Sequence, residues 1–429
     1  MSDVIEHTPD TAPKDARRWF EGRNLAVVMT VVGIVIISTV RLIADADRLT
    51  SSTTVGTGLR LAIPIALAGI GGLYAERSGT VNIGLDGMMT LGTVMAGWAG
   101  WNWGPWAALI AGILGGVAGA MLMSLATTNF GVNHVIAGFA INIIGPGVAR
   151  FLANVWFTTP EASAAGGSIT SSPRITGGLP RVSFPVLSDG PDLLGDLEGK
   201  GWFVLSDLAG ILKGLTTDVR FDSMLAVALI VLTAYVIWRT PFGLRLRAAG
   251  EKPGAAESLG VSVNKMRHAG MAISGGFAGL GGAVLVFAGA NQYQAGQVAG
   301  RGFLGLASLV FGNWMPAGVV AGAGVFGYAQ SVAISLDSGV SVRALILAAA
   351  IALTLLAVQA SAKRSHGAAA VELVFAALAF TAYSLVEEVN SQFVYMTPYV
   401  VTLIVITVFS KRQRPPSAAG IPYFKGQSL

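Results

Sequence analysis

The first group in this sequence that could do chemistry is an acid lying a few residues inside an apolar run. Asp86 closes the polar interruption that begins at Tyr74-Ala-Glu-Arg77, and a long apolar stretch follows it. A charged side chain at the centre of a bilayer costs about 2.5–3.5 kcal/mol even on the mildest scales, so functional use is the default reading. Asp86 could line a path for a polar solute, or it could lock a broken helix by accepting from nearby backbone N–H groups. Asn82 and Asn142 can each donate and accept, which suits a heterocycle or a sugar and equally suits hydrogen bonding between helices.

A second polar cluster, Asn291, Gln292, Tyr293 and Gln294, follows a later apolar run. It could read base or ribose edges, or be an ordinary solvated loop. Phe311 and Trp314 flank a further break, Asn313-Trp-Met-Pro316, where an aromatic face could stack on a planar substrate or rest at a membrane boundary. Two interrupted regions, one in each half of a chain, point to a substrate path near the bilayer midplane.

These groups recognise; they do not make bonds. No Gly-x-x-x-x-Gly-Lys-Ser/Thr loop is present to cradle nucleotide phosphates. The four histidines, His7, His134, His268 and His366, lack ligand spacing, and zero cysteines exclude disulfides, thiolate metal sites and cysteine nucleophiles. No serine sits in a Gly-x-Ser-x-Gly elbow with a plausible partner. The expectation is a chain with no catalytic residues and no metal site.

The elements that must position these groups are membrane helices. The chain is 53% hydrophobic and only 12% charged, with a mean hydropathy of +0.64, where soluble domains carry about 25% charged residues. Its 56 glycines are what close helix packing in lipid demands. Apolar runs predict spans near 25–43, 59–74, 81–101, 106–126, 135–153, 223–238, 269–290, 342–359, 369–386 and 398–409. Phe303 to Gly312 is too short to cross, and after the break Ala317 to Ile334 runs on. This predicts a re-entrant or broken helix pair that enters and leaves on one side.

Lys and Arg set the orientation. With the N-terminus inside, Lys14, Arg17, Arg18, Arg23, Arg77, the cations from Arg239 to Arg267, Lys363, Arg364, Lys411, Arg412, Arg414 and Lys425 are all cytoplasmic. Residues 1–24 read as a disordered cytoplasmic tail, 25–412 as the transmembrane domain and 413–429 as a second cytoplasmic tail. The stretch 158–222 is then an external insertion, within which Trp202 to Leu215 is apolar but short, and it should lie in the interface as a lid or docking surface. Glu372, Glu387 and Glu388 fall near span ends, where headgroups suffice to solvate them.

The cytoplasmic loop 239–267 has its own design. Pro253 can open a short helix and Gly260 can close it, with Ala255, Ala256 and Leu259 as apolar contacts. A pump without its own nucleotide site must be driven by a partner, and a short charged helix is where a partner can push.

Four stretches carry a resemblance: Glu76-Arg-Ser-Gly-Thr-Val-Asn-Ile-Gly-Leu-Asp-Gly-Met88; Thr240-Pro-Phe-Gly-Leu-Arg-Leu-Arg-Ala-Ala-Gly-Glu-Lys-Pro253; Gly300-Arg-Gly-Phe303 with Phe311-Gly-Asn-Trp-Met-Pro316; and Pro398-Tyr-Val-Val-Thr-Leu403 with Gly420-Ile-Pro-Tyr-Phe-Lys-Gly426. The chain resembles the membrane permeases of bacterial ABC importers in the branched-chain amino acid and monosaccharide superfamily, most of all the nucleoside branch associated with basic membrane proteins. The resemblance implies an all-α fold like that of vitamin B12 and ribose importer permeases, with about ten membrane helices. It implies nucleoside import driven by a separate cytosolic ATPase that holds the ATP and Mg, so that this chain binds no cofactor and is not an enzyme. Arg245, Arg247, Glu251, Pro253, Glu257, Leu259 and Gly260 would then couple to that ATPase.

A second permease, alike or different, and an extracytoplasmic substrate-binding protein or lipoprotein are the other implied partners, with no nucleic acid. The implied location is the bacterial cytoplasmic membrane, both termini inside. Asp86 stands where that branch commonly has Glu, and the N-terminal tail and external insertion are longer than usual. A monosaccharide or branched-chain amino acid importer of the same superfamily, and an ion-coupled secondary transporter, remain as alternatives.

Overall fold

The computed structural model describes residues 31–182, 192–217, 219–334, 338–362, 366–385, 396 and 413–424. Over these the chain is predominantly helical. The helices are α1 (Val31–Ala44), α2 (Ser52–Arg77), α3 (Leu85–Trp103), α4 (Pro105–Ser124), α5 (His134–Phe157), α6 (Pro160–Ala164), α7 (Leu193–Gly199) and α8 (Leu205–Thr216). They continue as α9 (Phe221–Arg239), α10 (Pro241–Glu251), α11 (Pro253–Ser258), α12 (Val263–Ala288), α13 (Arg301–Phe311), α14 (Pro316–Ala333), α15 (Ser338–Ala362) and α16 (His366–Leu385). The named strands among the described residues form one two-residue antiparallel ladder, Arg181 opposite Arg220 and Val182 opposite Val219.

Among the described residues, 6 helices are long and apolar enough to cross a membrane: α2, α4 with the π turn that extends it to Asn129, α5, α9, α12, and α15 over Val342–Ala362. Three shorter apolar helices, α1, α13 and α16, accompany them. The expected span 398–409, Glu387, Glu388 and residues 1–24 lie outside the described residues. Helix starts follow local chemistry: Ser51 caps α2 by accepting from the Thr54 N–H, Asn133 caps α5 by accepting from the Val135 N–H at 2.8 Å, and Pro105, Pro241, Pro253 and Pro316 open their helices.

The bundle has two faces. α2 begins at the face carrying the 158–222 insertion, where the Ser52 N–H donates to Glu198, and ends at the cationic face, where Arg77 meets Glu251. α12 runs the other way, from the Val263, Ala249 and Ala256 cluster up to Phe287, whose carbonyl accepts from Arg220. These two helices form the centre, with 83% and 72% of their crossing windows buried against 28% for α5, which therefore leaves a face open.

Glycine sets the closest approach. A Cβ at Gly116 would overlap the Gly275 carbonyl oxygen, and one at Gly279 would overlap that of Gly112, so the backbones of α4 and α12 touch directly.

The span expected from Val81 starts as a helix only at Leu85. Residues 78–84 are held out of helical form by Gly79 in the left-handed region (φ 97°) and by partners distant in sequence. The expected broken pair is present as α13 and α14. It enters beside the insertion-face loop 289–300 and returns to that face, where Ser331 donates to the Thr54 carbonyl and Tyr328 to that of Leu49.

Candidate functional site

The first interruption is stitched by asparagines. Fully buried Asn82 accepts from the Gly84 N–H at 3.0 Å and donates to Ser274 Oγ at 2.9 Å. Asn142, half-buried on α5, donates to the Ile83 carbonyl and accepts from the Gly87 N–H, both at 2.8 Å. His134 Nδ1 accepts from the Val81 N–H at 3.1 Å. Apart from the Asn82 bond to Ser274 on α12, these bonds go to the 78–84 connection or to the first turn of α3, whose initial N–H groups have no partner within the helix.

Asp86 caps a helix, and the helix is not its own. Its Oδ1 accepts from the Gly302 N–H at 3.0 Å, in the first turn of α13. Two helix N-termini, those of α3 and α13, therefore converge on one carboxylate, which complements the partial positive charge at each. Gly302 is required by this contact: a Cβ there would overlap the Asp86 backbone. Asp86 and Asn142 are both half-buried, and Asn142 borders the open face of α5, where Ile143 and Phe139 are exposed.

The second break lies elsewhere. α13 is 11 residues long, or about 16 Å at 1.5 Å per residue, so it carries the chain from Asp86 down to the cationic face. There Asn313 and Trp314 both take positive φ (51° and 54°) and Pro316 opens α14. Trp314 is buried, its indole N–H donating to the buried Glu76 carboxylate and its carbonyl accepting from Arg77 Nη2 at 2.9 Å. Asn313 Oδ1 accepts from the Arg414 N–H at 2.8 Å. The two interrupted regions therefore meet twice, at Gly302 on Asp86 and at Trp314 on Glu76 and Arg77, at opposite ends of α13. Phe311 packs on Phe326 with ring centroids 5.8 Å apart.

The third cluster is a seam. The Asn291 carbonyl accepts from the Ile175 N–H at 2.8 Å, the Tyr293 N–H donates to Ser172 Oγ at 2.9 Å, and the Ala295 N–H donates to the Thr170 carbonyl at 2.7 Å. Tyr293 is buried against Phe157, while Gln292 is half-buried and Gln294 exposed. A run that reads as solvated is thus half built into the core.

At the cationic face, α11 spans Pro253–Ser258 and Gly260 closes it at φ 82°. Pro253 and Ala256 face the bundle, whereas Ala255 is exposed and Leu259 is 85% exposed, so the expected apolar contacts divide between bundle and surroundings. Arg77 and Arg247 flank the Trp238 ring at 5.7 and 5.9 Å, and Arg245 is exposed. Segment 413–424 straps across this face. Ser417 donates to Glu251 through N–H and Oγ, the Ala418 N–H to the Gly250 carbonyl, the Gly420 N–H to the Gly79 carbonyl, and the Tyr423 hydroxyl to Glu257. Burial and the Glu257 carboxylate push the Tyr423 phenol up to about 12. Its ring lies 5.8 Å from the buried Arg267 guanidinium.

Glu76, Arg77, Arg267 and the strap form a connected polar network to which the sequence alone assigned no site role. Glu76 offered a signal, being a second carboxylate at the end of an apolar run. No group of three or more His, Cys, Asp or Glu side chains able to hold a metal occurs among the described residues.

Six helices long and apolar enough to cross a membrane among the described residues, a broken helix pair and a short helix on the cationic face define a multi-pass membrane protein. The chain belongs to the family described as branched-chain amino acid transport system / permease component, which matches residues 54–355. It is 30% identical over 383 residues to the guanosine ABC transporter permease protein NupQ of Bacillus subtilis (strain 168), covering 88% of this chain and 98% of that one. It is 29% identical over 374 residues to the nucleoside ABC transporter permease protein NupC of Lactococcus lactis subsp. cremoris, covering 85% and 94%. The putative glucose ABC transporter permease protein TsgC13 of Haloferax volcanii is 29% identical over 295 residues, 65% of this chain and 78% of that one. No solved structure matches the chain.

Proposed function

We propose that this chain is the membrane permease subunit of an ATP-driven ABC importer for nucleosides, forming the translocation path and taking its drive from a cytosolic ATPase. The observation that carries the coupling reading is α11: a six-residue helix that offers Ala255 and Leu259 outward while its own Glu257, and Glu251 just before it, are tied to the strap and to Arg77. A force applied there reaches the Trp314 break through Arg77 and the first interruption through Gly79. The names of the relatives, guanosine and nucleoside permeases, support the substrate class. ATP and Mg belong to the partner.

The path runs along the open face of α5, with Asn142 and Asp86 reaching it and Asn82 and Tyr293 holding its walls, while Phe311, Asn313 and Trp314 at the other end of α13 act on it through the Gly302–Asp86 contact. About ten helices cross the bacterial cytoplasmic membrane in the manner of vitamin B12 and ribose importer permeases, with 25–412 as the membrane domain and both tails inside. A second permease completes the pore, and an extracytoplasmic binding protein delivers substrate to Asn291, Gln292 and the 158–222 insertion.

Uptake of radiolabelled adenosine, guanosine, uridine and ribose by cells with and without the chain tests this. Loss of nucleoside uptake without competition by ribose is the expected result. Loss of ribose uptake alone moves the substrate to sugars, a second reading that the glucose-named relative favours.

A further inference from the structure

Helix α8 is amphipathic in the reverse sense for a surface helix. Its buried side is small and polar, with Ser206, Asp207, Ala209 and Gly210 packed inward, while its outward side carries a leucine stripe at i, i+3, i+7 and i+10: Leu205, Leu208, Leu212 and Leu215. Leu205, Leu212 and Leu215 are 55%, 51% and 43% exposed, and Trp202 and Phe203 extend the apolar surface at its N-terminal end.

The inward side fixes the depth. Asp207 is fully buried, accepting from Thr50 Oγ1 and lying 3.3 Å from Arg41 Nη1, and Arg41 also donates to the Gly201 carbonyl at 3.2 Å. A Cβ at Gly210 or Gly214 would strike the carbonyl of Thr50 or Ser52, so α8 lies against the first turns of α2, where that spanning helix enters the bundle. Next to Arg41, Leu42 and Ile43 of the apolar helix α1 are also exposed.

We propose that α8 is an interfacial helix whose leucine stripe is immersed in the bilayer leaflet at the insertion face, with lipid acyl chains as its partner. A transient protein-docking patch is about as polar as the rest of a protein surface, and this stripe carries no charge. Trp202, with Lys200 Nζ 5.0 Å from its ring, gives the aromatic and snorkelling pair that a headgroup boundary favours. Lys213, the cation on α8, turns off the stripe to Asp192 at 2.6 Å. The inference is independent of the substrate transported.

The absence of native cysteine makes the test direct. The full chain is reconstituted in lipid nanodiscs with single substitutions Leu205→Cys, Leu208→Cys, Leu212→Cys or Leu215→Cys, each spin-labelled. Collision with oxygen, which partitions into lipid, is compared with collision with a water-soluble nickel chelate. Oxygen access several-fold above nickel access at all four positions is expected. Nickel access exceeding oxygen places the stripe in water, and low access to both places it under protein; either result overturns the proposal. Quenching by brominated lipid, compared between wild type and Trp202→Phe, gives a second readout that needs no cysteine. Loss of a quenchable component in the variant supports immersion, and equal quenching in both refutes it.

Discussion

Arg77 Nη1 lies 3.6 Å from Glu251 Oε1, and the same guanidinium donates to the Trp314 carbonyl at 2.9 Å. One side chain at the end of α2 thus joins the helix that precedes α11 to the turn between α13 and α14. It connects the expected point of drive directly to the broken helices.

Arg77→Gln should therefore separate ATP hydrolysis from transport. In a reconstituted complex, uptake is expected to fall about tenfold, the equivalent of about 1.4 kcal/mol, while expression and ATPase turnover persist. Unchanged uptake would remove Arg77 from the linkage. Charge reversal at Glu251 together with Glu257 should abolish uptake without loss of folding or substrate delivery, because both carboxylates serve α11.

Trp314→Phe leaves the Glu76 carboxylate buried without its indole donor. An unsatisfied buried acceptor costs about 1–3 kcal/mol, more when charged. Thermal unfolding in detergent should show that loss, and adding Glu76→Gln should recover part of it because a neutral amide is cheaper to leave unpaired. Additive effects of the two substitutions would contradict the contact.

Asp86→Asn keeps an oxygen that can accept from the Gly302 N–H, whereas Asp86→Ala does not. The alanine variant is expected to lose about 1 kcal/mol, the usual worth of a helix cap, and the asparagine variant a fraction of it. Gly302→Ala should fare worst, since its methyl overlaps the Asp86 backbone and overpacking costs about 1–3 kcal/mol. Melting temperatures of the three variants give the order.

Tyr423 holds Glu257 as a neutral phenol. Its folded-state pKa, pushed up to about 12, exceeds the ordinary value of 10.0, so the stability it contributes is complete below 10 and is lost as pH rises through about 12. Strap docking should thus be constant across neutral pH. Tyr423→Phe should lower the melting temperature at pH 7 and remove one of eight tyrosines' share of the tyrosinate absorbance that develops at high pH. No loss near pH 12 in the difference between wild type and variant would contradict the raised value.

Much of the architecture was legible because its signals are local. Pro316 after an apolar run too short to cross predicts the α13–α14 break, and Pro253 with Gly260 predicts α11 to within two residues. The delayed start of α3 was not legible, because Asn142, His134 and Ser274 hold residues 78–84 from across the sequence. Residue type revealed that Asp86 would need a partner but could not name Gly302, 216 positions away. Residue type could not show that Tyr293 would be buried, because the partners of its backbone are in the insertion. Glu76 and Arg77 were quoted as motif and cation, yet their roles depend on Trp314, more than two hundred positions on.

The direct contact of α4 with α12 limits where this protein can bend. With Gly116 against Gly275 and Gly112 against Gly279, no side chains lie between the two backbones to rotate into new wells. That pair behaves as a chassis, and α2 and α3, packed closely on it, extend it. α5 is seated on α3 in the same way, since a Cβ at Gly87 would overlap the Ile141 carbonyl oxygen and one at Gly145 the Gly87 backbone. Shape change is left to the broken ends of the α13–α14 pair and to the strap. A crosslink across the glycine seam should therefore be silent in transport, while one from the strap to α10 should arrest it.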